Sequence, residues 1–142
     1  MEPVFTFRAQ PALDVRKREL DTRRRELATA EWELRAAHDQ ARITLQHAGI
    51  EQYVWHRVWI DRVERAKAAH AVTVAQRQDD VAKAAASCRK AKQRVDAMEK
   101  LREKALAAWE HEARLREQRE LDALATMRFV SDVRARARRK AS

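Results

Sequence analysis

The chain has 142 residues, among them one Gly and two Pro, and it carries a formal net charge of +9. Gly and Pro supply most of the turns of globular folds, so a chain with so few of them excludes β-sandwich, barrel and α/β architectures. Ala, Arg, Glu, Lys and Gln are abundant, and because these are the best helix formers they favour a long, thin helical assembly.

The first predicted element is an extended arm over residues 1–10. It ends where Pro11 starts a helix, since Pro is tolerated in the first helical turn. A heptad repeat then predicts helix 1 over residues 11–48, with apolar positions at Leu13, Leu20, Leu27, Leu34 and Ala41. Gly49 follows this repeat and predicts a turn at residues 49–50.

A second helix is predicted over residues 51–135, because neither Gly nor Pro interrupts the chain after Gly49. A second heptad seam supports it, at Val74, Val81, Cys88 and Val95. The predicted fold class is all-α, a single long antiparallel two-helix coiled-coil hairpin whose second helix is much longer than the first. A basic tail, residues 128–142, contains six basic residues and one acid.

The two predicted helices differ greatly in length. At 1.5 Å per residue, helix 1 spans ~57 Å and helix 2 spans ~127 Å. With the turn centred on Gly49, residue 13 lies opposite about residue 86, so residues 90–130 have no intrachain partner apart from the arm. This stretch still carries an apolar stripe, which we expect another molecule to cover. Its members are Leu101, Leu106, Trp109, Leu115, Leu121, Leu124 and Met127.

The residue types needed for catalysis or metal binding do not occur at useful spacings. One glycine excludes a phosphate-binding loop and a dinucleotide fingerprint. The five histidines form no HExxH motif, and the single cysteine, Cys88, provides neither a zinc framework nor an intrachain disulfide. We therefore expect no enzyme, no catalytic residue, no metal and no cofactor. The lone cysteine also indicates a reducing compartment.

Two other features indicate contacts with macromolecules. Trp55 and Trp59 lie on one helix face near the predicted turn, where a two-helix tip can bury little, and we interpret them as a partner patch. The basic tail leaves open a nucleic-acid-binding coiled coil, because basic segments bind phosphates without sequence preference. No known reader motif accompanies the tail, so specific nucleic-acid binding is not expected.

Short motifs near both ends of the chain resemble the FliJ family of flagellar export proteins. Near the start these are FTFR at residues 5–8 and QPALD at residues 10–14. Near the end, ELDALA at residues 120–125 and Arg128-Phe129 are similar to the closing signature of the family, although Ala123 stands where the family usually has an acid. The related injectisome stalk proteins are the close alternative.

The resemblance implies a non-enzymatic component of the flagellar type III protein export apparatus. FliJ-like proteins are antiparallel coiled coils similar to the stalk of rotary ATPases. They occupy the pore of the export ATPase hexamer, promote its assembly and activity, and contact the cytoplasmic linker of the export gate protein and export chaperones. The expected location is cytoplasmic, peripheral at the inner membrane, and the sequence shows no transmembrane-length apolar run and no signal-peptide core.

The resemblance also implies two contact surfaces. In the family the terminal segments enter the ATPase ring, and the gate-binding patch lies near the hairpin tip and the early second helix. The implied ring contacts are Phe5, Phe7, Leu13, Leu121, Leu124, Met127 and Phe129. The implied gate contacts are Trp59, Val63, Ala66 and His70, to which we add the neighbouring Trp55.

Overall fold

A computed structural model describes residues 3–48 and 56–142, except for the side chains of residues 47, 48 and 56. The turn predicted at residues 49–50, the predicted start of helix 2 at residue 51 and the side chain of Trp55 lie outside the described residues. Within them the chain forms two helices, α1 (Gln10–Ala48) and α2 (His56–Ala141), and no strand. The all-α fold class with a much longer second helix is confirmed.

The chain divides into two compact units. One contains Pro11–Met98, and we call it the hairpin unit because it pairs α1 with the first part of α2. The other contains Met1–Gln10 together with Glu99–Ser142, and we call it the extension unit. The extension unit pairs the N-terminal arm with the remainder of α2.

The core of the hairpin unit is small and follows the predicted heptad seams. Its buried side chains come from both helices, Leu13 and Leu20 of α1 with Ala91 and Val95 of α2. Cys88 and Met98 lie partly buried against this cluster. Cys88 therefore packs as a small apolar residue, in keeping with its position in the second seam.

An ion pair joins the two helices farther along the hairpin unit. The Arg77 guanidinium donates a hydrogen bond of 2.8 Å to the Glu33 carboxylate, and the carboxylate of Asp80 lies 3.7 Å from the same group. Contacts between the helices therefore run from the core cluster, which joins Leu13 and Leu20 to Ala91 and Val95, to the pair of Glu33 and Arg77. Residue numbers rise along α1 as they fall along α2, so the helices are antiparallel, as predicted.

The register of the two helices differs from the predicted one. A turn centred on Gly49 would place Glu33 opposite about residue 65, whereas Glu33 pairs with Arg77. The prediction that residues 90–130 lack a partner in α1 is therefore wrong at its start, because Ala91 and Val95 belong to the hairpin core. The physical reason is that heptads repeat along both helices, so the pattern alone does not select one register.

The extension unit is far more open than the hairpin unit. Ala105, Leu106, Trp109 and Ala113 are partly buried, but every residue from Arg114 to Ser142 is exposed. The helix continues through the basic tail as far as Ala141. Within the extension unit, the large apolar side chains beyond Ala113 are therefore presented to solvent.

Across residues 3–48 and 56–142, neither helix contains a stretch long and apolar enough to cross a bilayer.

Candidate partner-binding surfaces

The arm lies on α2 through a contact between two aromatic rings. The ring centroids of Phe5 and Trp109 are 5.9 Å apart, and the ring planes are inclined at 60°. Tilted pairs of this kind contribute about 0.5–1.5 kcal/mol beyond the burial of apolar area. The Gln10 amide donates to the Phe7 carbonyl at 3.0 Å, which closes the turn that leads into α1. Phe5 thus holds the arm against α2, and a hydrogen bond closes the last turn of the arm.

The arm covers only the first part of α2 in the extension unit. Pro3 of the arm borders a groove whose other side is formed by α2. The α2 residues that line this groove are Trp109, Ala113, Arg116, Glu117 and Glu120. Every residue of α2 from Arg114 onward is exposed, so the arm leaves this part of the helix open to solvent.

Beyond the arm, α2 exposes a cluster of large apolar side chains, which we call the collar. Its members are Leu121, Leu124, Met127, Phe129, Val130 and Val133, and their exposed fractions range from 40% to 69%. At about 100° per residue, these six side chains leave no arc of the helix surface wider than about 80° unoccupied. Asp122, Arg128 and Asp132 stand between these side chains. Apolar side chains that point in all directions are buried together only when the surroundings enclose the helix. The collar therefore suits a partner that surrounds the helix more than one lying along a single side.

The structure separates the predicted ring contacts into three groups. Four of them lie in the collar and are exposed, as an interface requires: Leu121, Leu124, Met127 and Phe129. Their contact with the ring stays a prediction. Phe5 and Phe7 are partly buried in the arm. Leu13 departs from the prediction, because it is 1% exposed in the hairpin core and offers no surface to a partner.

Sequence reasoning did not assign Val130 and Val133 to this surface. Both are exposed, and they fill the side of the helix that the four predicted residues leave open. The signal in the sequence was the angular spread of apolar residues around the helix, which a search for one apolar stripe does not detect.

The charge carried by α2 changes sign along the collar. Residues 110–122 contain five acidic and three basic residues, for a net charge of −2. Residues 123–142 contain six basic residues and one acid, Asp132, for a net charge of +5. Because residues 114–142 are exposed throughout, these charges act directly on any molecule that encloses the helix.

The predicted gate contacts lie on one face of α2 in the hairpin unit. Trp59, Val63, Ala66 and His70 follow a spacing of four, three and four residues, and all are partly buried. The same face continues to Arg77, which reaches α1, so only the open flanks of these side chains are accessible to a partner. The gate assignment stays a prediction, and Trp55 lies outside the described residues.

An ion pair within α2 of the hairpin unit is of the surface type. Nζ of Lys83 lies 2.9 Å from the Asp79 carboxylate one turn away, and the hydrogen bond to Asp79, reinforced by its charge, raises the pKa of Lys83. Exposed pairs of this kind add little to stability. Among the described residues, no group of three or more His, Cys, Asp or Glu side chains is arranged to hold a metal ion.

Comparison with known proteins identifies the family of this chain. A family model described as flagellar FliJ protein matches residues 6–134 of this chain. No curated protein and no solved structure gave a match. The matched range includes α1, most of α2 and the whole collar. The family resemblance inferred from the terminal motifs is confirmed, and the chain belongs to the FliJ family of flagellar type III export proteins.

Proposed function

We propose that this protein is the central stalk of the flagellar export ATPase ring. The observation that supports this role is the collar, where apolar side chains project from α2 in every direction and remain exposed. A closed ring of equivalent subunits is the kind of partner that meets a helix on all sides. The protein acts by binding and promotes assembly and activity of the ring, with no reaction of its own.

The collar also suits a partner with several equivalent faces. Each of its side chains gains about 1.5–3 kcal/mol when it is fully buried. Because Leu121, Met127 and Phe129 project in different directions, neighbouring subunits each receive a comparable apolar contact. No single subunit then holds the helix much more tightly than the next.

The hairpin unit carries a second contact, to the export gate protein. Trp59, Val63, Ala66 and His70 form the contact to the cytoplasmic linker of the export gate protein, together with Trp55. Support comes from the family match and from the enrichment of Trp in binding hot spots. Export chaperones are further partners, and the place of action is the cytoplasmic face of the inner membrane. The match to the flagellar family favours this system over an injectisome.

The test is stimulation of a purified flagellar export ATPase by the full chain and by a Leu121→Asp/Leu124→Asp variant. A carboxylate in an apolar enclosure forfeits the burial energy and adds a desolvation cost, so we expect stimulation and ring assembly to be lost. Helical content and the melting of the hairpin unit should be unchanged, because both side chains are exposed in the extension unit.

A matched control is Trp32→Asp/Val72→Asp. It also places two carboxylates at exposed apolar positions, each 68% exposed, but in the hairpin unit and outside both proposed contacts. This control should stimulate the ATPase normally. Normal stimulation by the Leu121→Asp/Leu124→Asp protein would rule out the collar as the ring contact.

A further inference from the structure

We infer that the site receiving α2 carries a fixed order of charge along its axis. Basic side chains face residues 110–122, apolar side chains surround the collar, and acidic side chains face the basic residues from Arg134 to Lys140. This inference rests on the proposed function, because it assigns the chemistry of the partner at the same surface.

The charge reversal along α2 is the first observation. The net charge is −2 over residues 110–122 and +5 over residues 123–142, and the apolar collar spans the boundary. A partner that encloses the helix cannot avoid these exposed charges, and like charges placed opposite them would oppose association. Complementarity therefore requires the inverse order in the partner.

The distribution of the basic residues around the helix is the second observation. Five of them follow the collar: Arg134, Arg136, Arg138, Arg139 and Lys140. At about 100° per residue, they leave no arc wider than about 120° without a positive charge. Helices that bind a flat anionic surface gather their basic residues on one face and their apolar residues on the other. Here both classes encircle the helix, so an acidic protein enclosure fits better than a lipid surface.

The apolar and the charged side chains of α2 affect different movements of the helix in its partner. The apolar collar is nearly uniform around the helix, so it opposes rotation of α2 only weakly. The charge order is not uniform along the helix, and a displacement of twelve residues, about 18 Å, would move the acidic band into the apolar part of the enclosure and carry the basic residues away from the acidic partner side chains. The charges thus set the axial position, while rotation remains permitted.

The experiment uses the full chain with Arg136→Gln, Arg138→Gln, Arg139→Gln and Lys140→Gln. We measure the concentration needed for half-maximal stimulation of the purified export ATPase at low and at physiological ionic strength. At low ionic strength we expect it to rise about tenfold, because complementary charges accelerate and orient association. The half-maximal concentrations of the variant and of the unmodified chain should lie closer together at physiological ionic strength, since salt screens exposed charges.

The control removes four positive charges from exposed positions of the hairpin unit, by Arg18→Gln, Arg25→Gln, Arg35→Gln and Arg65→Gln. It matches the change in net charge and should shift the half-maximal concentration far less. Equal shifts in the two variants, or a shift that does not respond to salt, would overturn the inference and leave the stalk proposal standing.

Two further outcomes are decisive. If the unmodified chain fails to stimulate the ATPase, the proposed function is wrong and this inference fails with it. The tail variant could instead stimulate the ATPase normally but no longer bind a DNA duplex that the unmodified chain binds. The basic residues would then bind nucleic acid, and the inference would be wrong.

Discussion

Arg77 of α2 and Glu33 of α1 form an inter-helix hydrogen bond of 2.8 Å between residues 44 positions apart in sequence. The buried cluster that joins the helices consists of apolar and small side chains, Leu13, Leu20, Ala91 and Val95. Apolar heptad repeats tolerate several alignments, whereas a charge pair favours one. Because both side chains are about 40% exposed, its contribution to stability is modest, about 0.2–1 kcal/mol. We interpret the pair mainly as a determinant of register.

The register can be tested with a short thiol-reactive crosslinker in a Cys88→Ser background. We expect Glu33→Cys/Arg77→Cys to crosslink efficiently within one chain, because these residues lie at the same level of the hairpin unit. Glu33→Cys/Arg65→Cys represents a turn centred on Gly49 and should crosslink poorly. Mass spectrometry of the digested monomer measures both. Preferential crosslinking of Glu33→Cys/Arg65→Cys would contradict a register in which Glu33 lies opposite Arg77.

The helices of this fold could be predicted from sequence because their signals are local. Leu13, Leu20 and Leu27 repeat every seven residues, and this spacing predicts a helix with one apolar seam wherever the helix packs. The alignment of α1 with α2 depends on contacts such as Glu33 with Arg77, and nothing local encodes it. Taking Gly49 as the centre of the connection therefore gave a wrong register.

The same distinction applies to the candidate surfaces. Four of the six apolar residues of the collar could be identified from sequence, because no partner for them is expected within the hairpin. Val130 and Val133 lie off the predicted stripe and were not identified. The seam position of Leu13 was also predicted from its heptad, whereas its partners Ala91 and Val95 follow from the register. The contact of Phe5 with Trp109 also escapes prediction, because an arm without periodicity gives no indication of where its aromatic ring docks.

Leu13 provides the second prediction, since the structure gives it a role in stability. Leu13→Ala removes a side chain that is 1% exposed, and we expect the free energy of unfolding of the hairpin unit to fall by about 2–5 kcal/mol. Thermal unfolding followed by circular dichroism measures this loss. Val15→Ala, at an exposed position one half-turn away, is the control and should have little effect.

The contrary result for Leu13 is equally informative. If Leu13→Ala melts like the unmodified chain but fails to stimulate the export ATPase, Leu13 contacts the ring directly. Leu13 would then leave the hairpin core when the protein binds the export ATPase.

The third prediction concerns the proposed gate contact and uses two tryptophans. Trp59→Ala should weaken binding of the export gate linker by about tenfold or more, because a Trp at an interface commonly carries a large share of the binding energy. Stimulation of the export ATPase should be retained, since the collar belongs to the extension unit and Trp59 to the hairpin unit. Titration calorimetry with the purified linker and the ATPase assay measure the two effects separately.

Trp32→Ala is the matched control, because it removes the same side chain from an exposed position of α1 outside the proposed contact. Trp59 is partly buried, so its loss could also loosen the hairpin unit. His70→Ala, on the same face but smaller, separates the two causes. If Trp59→Ala lowers the melting temperature while His70→Ala binds the linker normally, Trp59 stabilises the hairpin and the gate contact lies elsewhere. Weaker linker binding by both variants, with unchanged melting of His70→Ala, would support the contact as proposed.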